Sequence, residues 1–274
     1  MPEIALSTGT ISYDDTGGDG PVVVLLHGLV HDATVWRKVT AELRADHRVI
    51  APTLPYGSHR TPMDQPPTPD LVIDLIAELL DRLDLRDVTL VESDCGRAQT
   101  VATRHPERLA RLVLISCEAF DNYPPGLPGK MIVAACKVPG ALQLMVRILG
   151  FKPLRRLPVG IGALTKRPVP DEIVDRWLRP LRTDPAIRRD FRHYNTHIHK
   201  AELTEAAEDL RKFDKPALVV WATEDLMMPR AHGRRLAELP PQGQLLEIED
   251  SRTLIAEDQP ERLASVLREF VAQN

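Results

Sequence analysis

The stretch that most constrains the fold of this chain is residues 88–98. Four β-favouring residues, 88–91, are followed by a short polar turn and then by a predicted helix over 98–105. A buried strand that turns sharply into a helix is typical of α/β proteins with a parallel sheet. Gly96 lies inside this turn, where helix and strand approach closely and a Cβ has little room. The stretch therefore predicts a strand, a tight turn and a helix at one edge of a sheet.

The spacing around this turn matches the G-x-nucleophile-x-G elbow, in which a strained turn presents a nucleophile above the sheet edge. Three registers place Ser93, Asp94 or Cys95 at the nucleophile position. The Asp94 register fits best, because Gly96 then stands two residues later. An ordinary strand-to-helix turn remains the alternative.

Two residues depart from the elbow pattern. Glu92 occupies the first glycine position, and Arg97 stands where a small residue is expected. These side chains could pair with each other. Alternatively, Arg97 could lie close enough to Asp94 to lower its pKa and keep it ionised.

The composition is that of a globular domain of 274 residues, with 43% hydrophobic residues, 27% charged residues and a formal net charge of −4. No basic stripe predicts nucleic-acid binding, and the interspersed charges argue against it. The chain start lacks the pattern of a secretory signal, and the apolar run 22–26 is too short to span a bilayer. Cys95, Cys117 and Cys136 form neither a disulfide framework nor a zinc pattern, which favours the cytoplasm.

Strands and helices are predicted to alternate along most of the chain. The predicted strands are 4–6, 11–13, 22–26, 49–51, 88–91, 112–115, 217–221 and 245–248, and the predicted helices include 36–45, 70–83 with Asp70 as N-cap, 98–105 and 260–271. Continuous apolar strands are typical of a parallel sheet that is buried on both faces. The pattern predicts a doubly wound α/β sheet.

The alternation stops between residues 122 and 211. Prolines punctuate this stretch, and its apolar residues follow a helical period. We therefore predict a core of residues 1–121 and 212–274 with an inserted helical cap, 122–211. The apolar segment 131–149 is interrupted by charged residues, proline and glycine, so we expect it to line a pocket rather than enter a membrane. The second possibility for this segment is a surface patch that forms a homodimer interface.

Several segments, taken in order, resemble the α/β-hydrolase fold family. They are His27-Gly28 after a buried strand, the elbow at Asp94, Arg104-His105-Pro106-Glu107-Arg108-Leu109, Trp221-Ala222-Thr223-Glu224-Asp225, Asp250-Ser251-Arg252-Thr253 and Glu257-Asp258-Gln259-Pro260. The resemblance covers nearly the whole chain and is loosest across the cap. An aspartate at the nucleophile position resembles the haloalkane dehalogenase and epoxide hydrolase branch.

The resemblance implies roles for five residues. Asp94 would attack an electrophilic carbon or accept a proton. The backbone N–H groups of Leu29 and Cys95 would form the oxyanion hole. Asp225 stands where the family keeps its triad acid, and Glu118 stands roughly where some dehalogenases keep that acid instead.

The catalytic histidine of the family is absent. Its Gly-His pair is replaced by Arg252-Thr253, and a threonine hydroxyl cannot act as a general base near neutral pH. We expect Arg252 to pair with Asp225, which would leave Asp225 structural. Hydrolysis through a covalent intermediate would then be expected to stall.

Branch-specific residues are also missing. The resemblance to dehalogenases implies an asparagine after His-Gly and a tryptophan after the nucleophile, which together donate two N–H groups to the halide. Leu29 and Cys95 stand at these two positions here, so dehalogenation is not expected. Epoxide hydrolases use two cap tyrosines, for which Tyr123 and Tyr194 are the candidates. We expect His27, Trp36, Arg97, Tyr123, Tyr194, His197 and Thr253 to line the substrate pocket.

His193, His197 and His199 are predicted to share one helix. The four-residue spacing of His193 and His197 could hold a metal with a third ligand, but no acidic partner segment is evident. Surface or pocket-lining histidines are therefore expected, and His197 could reach the site as a replacement base. His27 is expected to shape the oxyanion loop.

The sequence supports three functional hypotheses. The first is an enzyme that uses Asp94 as an acid or base on a small, largely apolar molecule, without a cofactor and without hydrolysis. The second is a hydrolase of the epoxide or ester type with an Asp94 nucleophile and a displaced base. The third is a non-catalytic binding protein that keeps the pocket.

Overall fold

The computed structural model describes residues 2–157 and 160–274, and these residues form an eight-stranded sheet in the order β1-β2-β4-β3-β5-β6-β7-β8. The strands are β1 (Glu3–Leu6), β2 (Gly9–Asp15), β3 (Val22–Leu26), β4 (Arg48–Pro52), β5 (Val88–Asp94), β6 (Leu109–Cys117), β7 (Ala217–Ala222) and β8 (Gly243–Ile248). The β1–β2 and β2–β4 pairs are antiparallel and all other pairs are parallel. The predicted α/β sheet is confirmed.

Twelve α-helices accompany the sheet within the described residues. They are α1 (Arg37–Leu43), α2 (Pro69–Arg82), α3 (Arg97–Arg104), α4 (Gly126–Lys137), α5 (Ala141–Leu149), α6 (Lys152–Arg155), α7 (Asp171–Thr183), α8 (Pro185–Thr196), α9 (Lys200–Asp209), α10 (Arg230–Ala237), α11 (Ile255–Asp258) and α12 (Pro260–Gln273). Apolar residues of α2, α3 and α10 belong to one core cluster, and those of α1 and α12 belong to a second. The sheet is therefore covered on both faces.

Helix α2 begins one residue before the predicted N-cap. The Thr68 side chain accepts a hydrogen bond from the backbone N–H of Leu71 at 3.2 Å, and Pro69 occupies the first turn. Proline lacks the N–H that a first-turn residue would leave unpaired, and its fixed φ suits a helix start. Asp70 therefore lies inside the first turn, and its assignment as N-cap was wrong.

The segment between β6 and β7 contains helices α4 to α9 and no strand among its described residues. We call residues 122–211 the helical insertion. Leu142, Val146, Trp177 and Leu178 of this segment pack into the second core cluster. No helix among residues 2–157 and 160–274 is both long and apolar enough to cross a lipid bilayer.

The three predicted helical histidines do not share a helix. Helix α8 ends at Thr196, so His197 is its C-cap, and His199 is the N-cap of α9. The short break between α8 and α9 separates residues that the apolar period had placed in one helix.

The strand order places the ends of three neighbouring parallel strands at one sheet edge. Strand β5 lies between β3 and β6, with Leu26 opposite Glu92 and Asp94 opposite Cys117. Loops that follow these strands must meet above this edge, which is where α/β proteins place ligands. The elbow and the loop after His27 therefore face each other.

Candidate active site

Asp94 ends β5 in a strained backbone conformation. Its φ is 80°, and Gly96 follows with a φ of 73°. A positive φ is uncommon for a side chain other than glycine, and such strain concentrates at functional sites. The backbone N–H of Glu118 donates to the Asp94 carbonyl oxygen at 2.8 Å, and a Cβ at Gly96 would lie 2.3 Å from the Glu118 carbonyl oxygen. The predicted tight turn is present, and β6 holds it in place.

The loop after β3 lies directly against the Asp94 carboxyl group. The Leu29 N–H donates to Asp94 Oδ2 at 3.0 Å, and a Cβ at Gly28 would lie 2.0 Å from the same oxygen. The Cys95 N–H donates to the Ser93 carbonyl oxygen at 3.1 Å. Both N–H groups that were expected in the oxyanion hole therefore already have partners. The Leu29 N–H binds the Asp94 carboxylate, and the sharp turn directs the Cys95 N–H back to the Ser93 carbonyl oxygen.

Burial raises the pKa of Asp94 to about 7. The Leu29 hydrogen bond opposes this shift, and the nearby Asp225 carboxyl group adds to it. The Asp94 side chain keeps 6% of its surface exposed. A group that titrates near neutral pH can both donate and accept a proton during turnover. The sequence hypothesis that Arg97 lowers the pKa of Asp94 is wrong.

Asp225 is held by three donors. The backbone N–H groups of Met227 and Met228 donate to Asp225 Oδ1 at 2.7 and 2.8 Å, and the Thr253 hydroxyl donates to the same oxygen at 2.9 Å. Burial raises the pKa of Asp225, and these three hydrogen bonds lower it. Thr253 thus lies beside Asp225 and donates directly to its carboxylate.

Arg252 does not pair with Asp225, so that prediction was wrong. Its Nη1 donates to the Gly162 carbonyl oxygen, and its backbone N–H donates to Asp258 Oδ2 at 3.0 Å. All the donors to Asp225 bind its Oδ1, and its buried Oδ2 has no hydrogen-bond partner among the described residues, the Arg252 guanidinium included.

A buried ion pair lies next to the elbow. Arg97 Nη2 donates to Glu118 Oε2 at 3.3 Å, and the guanidinium also donates to the Cys95 carbonyl oxygen at 3.1 and 3.2 Å. Glu92 Oε2 accepts a hydrogen bond from the Ala98 backbone N–H at 2.6 Å, and the Arg97 guanidinium binds Glu118 and Cys95 instead of Glu92. Burial raises the pKa of Glu92 to about 7 and that of Glu118 well above its usual range, while Arg97 opposes both shifts. The structure brings the Glu118 side chain to Arg97, not to Asp94.

An apolar cavity of about 540 Å³ lies between the loop after β3 and the helical insertion. Residues that line it include Leu29, Val30, His31, Met131, Ala135, Leu144, Met145, Ile148, Leu154, Leu157, Ile161, Leu164, Trp177 and Leu178. Asp94 does not line this cavity. Leu29 connects the two, because it lines the cavity and its N–H binds the Asp94 carboxylate.

The prediction that the apolar segment 131–149 lines a pocket is confirmed, since Met131, Ala135, Leu144, Met145 and Ile148 line this cavity. None of the seven side chains that were expected individually in the substrate pocket lines it. Trp36 is fully buried in the second core cluster, because the turn before α1 directs its ring inward. Tyr123 donates from its hydroxyl to the Asn195 carbonyl oxygen at 2.8 Å, and the buried Tyr194 ring packs on Tyr56 with centroids 4.8 Å apart. Arg97 and Thr253 are held by the bonds described above.

The two remaining predicted pocket histidines have structural surroundings. His27 Nδ1 donates to the Gly28 carbonyl oxygen at 2.8 Å, and its Nε2 accepts from the Leu54 N–H at 2.8 Å. Burial lowers the pKa of His27 to about 4, so the ring is neutral and fixes the loop. His197 is exposed and stacks on His193 at 4.0 Å, so it does not reach Asp94. No group of three potential metal ligands occurs within the described ranges.

His31 is the site residue that the sequence analysis missed. Its ring lines the cavity and packs edge-on against Trp177, with centroids 4.7 Å apart. Its buried Nδ1 has no hydrogen-bond partner within the described part of the chain, and burial lowers its pKa to about 3. The available signal was its place two residues after Leu29 in the oxyanion loop, where a polar ring can face the ligand.

Comparisons with known proteins agree with this architecture. Residues 23–266 match the model of the Alpha/beta hydrolase family. The chain is 25% identical over 275 residues to the cis-3-alkyl-4-alkyloxetan-2-one decarboxylase of Shewanella oneidensis, covering 93% of this chain and 83% of that protein. It is 27% identical over 251 residues to haloalkane dehalogenase 1 of Mycobacterium bovis, covering 80% and 73%.

Among solved structures, an esterase from Thermogutta terrifontis superposes with a TM-score of 0.75 at 23% identity, covering all of this chain and 99% of that one. This likeness concerns the fold. The family match, which spans the elbow, the Asp225 loop and the helical insertion, shows that the chain belongs to the alpha/beta hydrolase family of enzymes.

Proposed function

We propose that this protein is a cofactor-independent enzyme that acts on a largely apolar small molecule without hydrolysis, with Asp94 as the reacting group. The observation that carries the proposal is the setting of Asp94. Its backbone is strained, and its buried carboxyl group has a pKa raised to about 7. That carboxyl group lies next to the loop that lines an apolar cavity. A cytoplasmic location accords with the three free, buried cysteines.

The environment of Asp94 does not favour activation of a water molecule. In a triad, a histidine bonded to the acid removes the proton of the attacking water. Here the hydroxyl of Thr253 donates to Asp225 Oδ1, Asp225 Oδ2 has no partner, and no imidazole bonds to Asp94 or Asp225 among the described residues. A reaction that regenerates the Asp94 carboxylate without consuming water does not need a histidine to remove a proton from water.

Decarboxylation of a β-lactone is one such reaction, and the Shewanella oneidensis relative is named for it. The Asp94 carboxylate would attack the ring carbon that bears the ring oxygen. The carbon–oxygen bond breaks, and the ring oxygen becomes part of a carboxylate. Loss of CO₂ then supplies the electron pair of a carbon–carbon double bond, while the Asp94–carbon bond breaks. The products are an alkene and CO₂, the carboxylate is regenerated, and atoms and charge balance without water.

The test uses cis-dialkyl β-lactones in H₂¹⁸O, with alkene and CO₂ measured by mass spectrometry. We expect alkene formation, no ¹⁸O-labelled hydroxy acid, and loss of both products in Asp94→Asn. Asp74→Asn, at an exposed carboxylate on α2, is the matched control. Labelled hydroxy acid as the main enzymatic product would contradict the proposal.

A hydrolase with a displaced base is the second candidate, and His31 favours it. The neutral imidazole lines the cavity and its buried Nδ1 has no partner among the described residues, so a lone pair is free to accept a proton, although the pKa of about 3 makes the ring a weak base. This candidate expects ¹⁸O in the product of an ester or epoxide and loss of turnover in His31→Phe. If every substrate binds and none turns over, the chain is a binding protein.

A further inference from the structure

A second pocket, of about 310 Å³, adjoins the helical insertion and is lined by cations. We call it the basic pocket; its six cationic residues are Lys152, Arg155, Arg156, Lys166, Arg167 and Arg252. Asp171 is the one carboxylate among the described residues of its wall. Residues 122–170 contain eight Lys and Arg and no Asp or Glu, whereas the whole chain carries a net charge of −4. Positive charge is therefore concentrated in this part of the chain.

Two cations at the α6 end of the basic pocket are neutralised by neighbouring acids. Lys152 pairs with Asp171 at 3.1 Å. Arg155 is buried, pairs with Asp171 at 3.3 Å, and also pairs with Asp175. These ion pairs fix the wall of the pocket.

Two more cations of the basic pocket, Lys166 and Arg167, are neutralised by other carboxylates. Lys166 pairs with Glu224 and with Asp250, each at 2.7 Å, and Arg167 pairs with Asp250 at 2.7 Å. The four paired cations thus share four carboxylates.

Arg156 and Arg252 are the uncompensated cations. Neither forms an ion pair with a carboxylate of the described chain, and the buried Nε of Arg252 has no hydrogen-bond partner there. Both lie beside Gly162, which packs on the Arg156 carbonyl group and accepts a hydrogen bond from Arg252 Nη1. A buried donor without a partner costs free energy, so an acceptor is expected at this position when the site is filled.

The basic pocket borders the apolar cavity. Ile161 lines both of them. Leu154 and Leu157 line the apolar cavity, while Arg155 and Arg156, which lie between them in sequence, line the basic pocket. One segment of the helical insertion thus presents an apolar wall to one side and guanidinium groups to the other.

We infer that the natural ligand is an anionic amphiphile, with its apolar part in the cavity and a phosphate or carboxylate group in the basic pocket. The inference rests on the proposed function insofar as the cavity is taken to be the substrate cavity. Guanidinium groups match phosphate and carboxylate oxygens in planar, two-point hydrogen bonds. It also accounts for Arg252, which replaces a residue of the family's Gly-His pair and contributes its charge to the basic pocket.

The inference is tested by calorimetric binding of three probes: a ten-carbon alkyl phosphate below its micelle concentration, the ten-carbon alcohol, and inorganic phosphate. We expect the alkyl phosphate to bind about tenfold more tightly than the alcohol. Arg156→Gln and Arg252→Gln should each weaken alkyl phosphate binding about threefold, and the double variant should remove the advantage. The affinity for the alcohol should not change. Arg86→Gln, at an exposed surface ion pair, is the control.

Because the assay needs no turnover, it separates the two proposals. Equal affinity for alcohol and alkyl phosphate, or alkyl phosphate binding that the double variant leaves intact, would overturn the anionic-group inference alone. Inorganic phosphate binding as tightly as alkyl phosphate would indicate a free-anion site and would also overturn it. Failure of both alkyl probes to bind would count against the cavity as the substrate site. Arg156→Gln, at an exposed side chain, serves as the variant that keeps the fold.

Discussion

Asp94 in the elbow and Asp225 in the loop after β7 are both buried carboxylates, and they differ in how many donors hold them. Asp94 accepts one hydrogen bond, from the Leu29 N–H. Asp225 accepts three, two of them from backbone N–H groups. Each hydrogen bond to an ionised carboxylate favours ionisation, so Asp225 is the better stabilised anion and Asp94 is the less stabilised, more reactive carboxylate. The difference in donor number assigns the chemistry to Asp94 and a supporting role to Asp225.

The largest expected effect is on turnover. Asp94→Asn should lower kcat on the true substrate by about 10³-fold or more, since general acid–base catalysis typically contributes about 10² to 10⁴ and the amide also removes the nucleophile. Asp225→Asn should lower kcat less than about tenfold, because its amide oxygen can still accept the three hydrogen bonds. Equal losses in the two variants, measured by single-turnover kinetics, would break the distinction.

The next effect is on stability as a function of pH. The folded-state pKa of Asp94 is about 7 and the unfolded value is near 3.8, so the folded state binds more protons between these values. Its stability therefore falls as pH rises through this window, by up to about 4 kcal/mol from Asp94 alone. Asp94→Asn removes the penalty. The variant should gain free energy of unfolding relative to wild type at pH 8 and little at pH 4, measured by urea denaturation.

A second buried carboxyl group, that of Glu92, also makes the free energy of unfolding depend on pH. Glu92 is also buried with its pKa raised to about 7, and it contributes a fall in stability in both proteins. Only the difference between wild type and Asp94→Asn isolates Asp94. A difference that does not grow between pH 4 and pH 8 would mean that the Asp94 pKa is not raised.

A smaller effect is expected from removing the Asp225 side chain. Asp225→Ala leaves the N–H groups of Met227 and Met228 and the Thr253 hydroxyl without their acceptor, at a cost of about 2–4 kcal/mol. Asp225→Asn keeps an acceptor oxygen and should cost less than about 1 kcal/mol. Chemical denaturation of the matched pair separates lost hydrogen bonds from lost charge, and similar costs for both variants would contradict the three-donor account.

The sheet could be predicted from the sequence because its central strands are continuous apolar runs, which have few alternative structures. The tight turn could be predicted because Gly96 and the small polar residues around Asp94 permit only a sharp change of direction. The N-cap of α2 could not, since both Thr68 and Asp70 are good caps and Pro69 decided between them.

Side-chain direction in the site could not be predicted. The Asp225 partners are backbone N–H groups of a turn, and a backbone donor leaves no residue-type signal, so Arg252 was chosen wrongly. His197 was placed by helical spacing, but α8 ends before it. His31 could not be predicted because the resemblance places the histidine of the site in the loop at Thr253, and no motif marks a histidine two residues after Leu29.

The most direct test of the account is the pKa of Asp94 itself. The ¹³C chemical shift of its carboxyl carbon, assigned by comparison with Asp94→Asn, can be followed from pH 4 to pH 9. We predict a titration midpoint at about 7 in wild type, and a lower midpoint in Asp225→Asn because the neighbouring negative charge is gone. A wild-type midpoint near 4, unchanged in Asp225→Asn, would contradict the assignment of Asp94 as the weakly stabilised, reactive carboxylate.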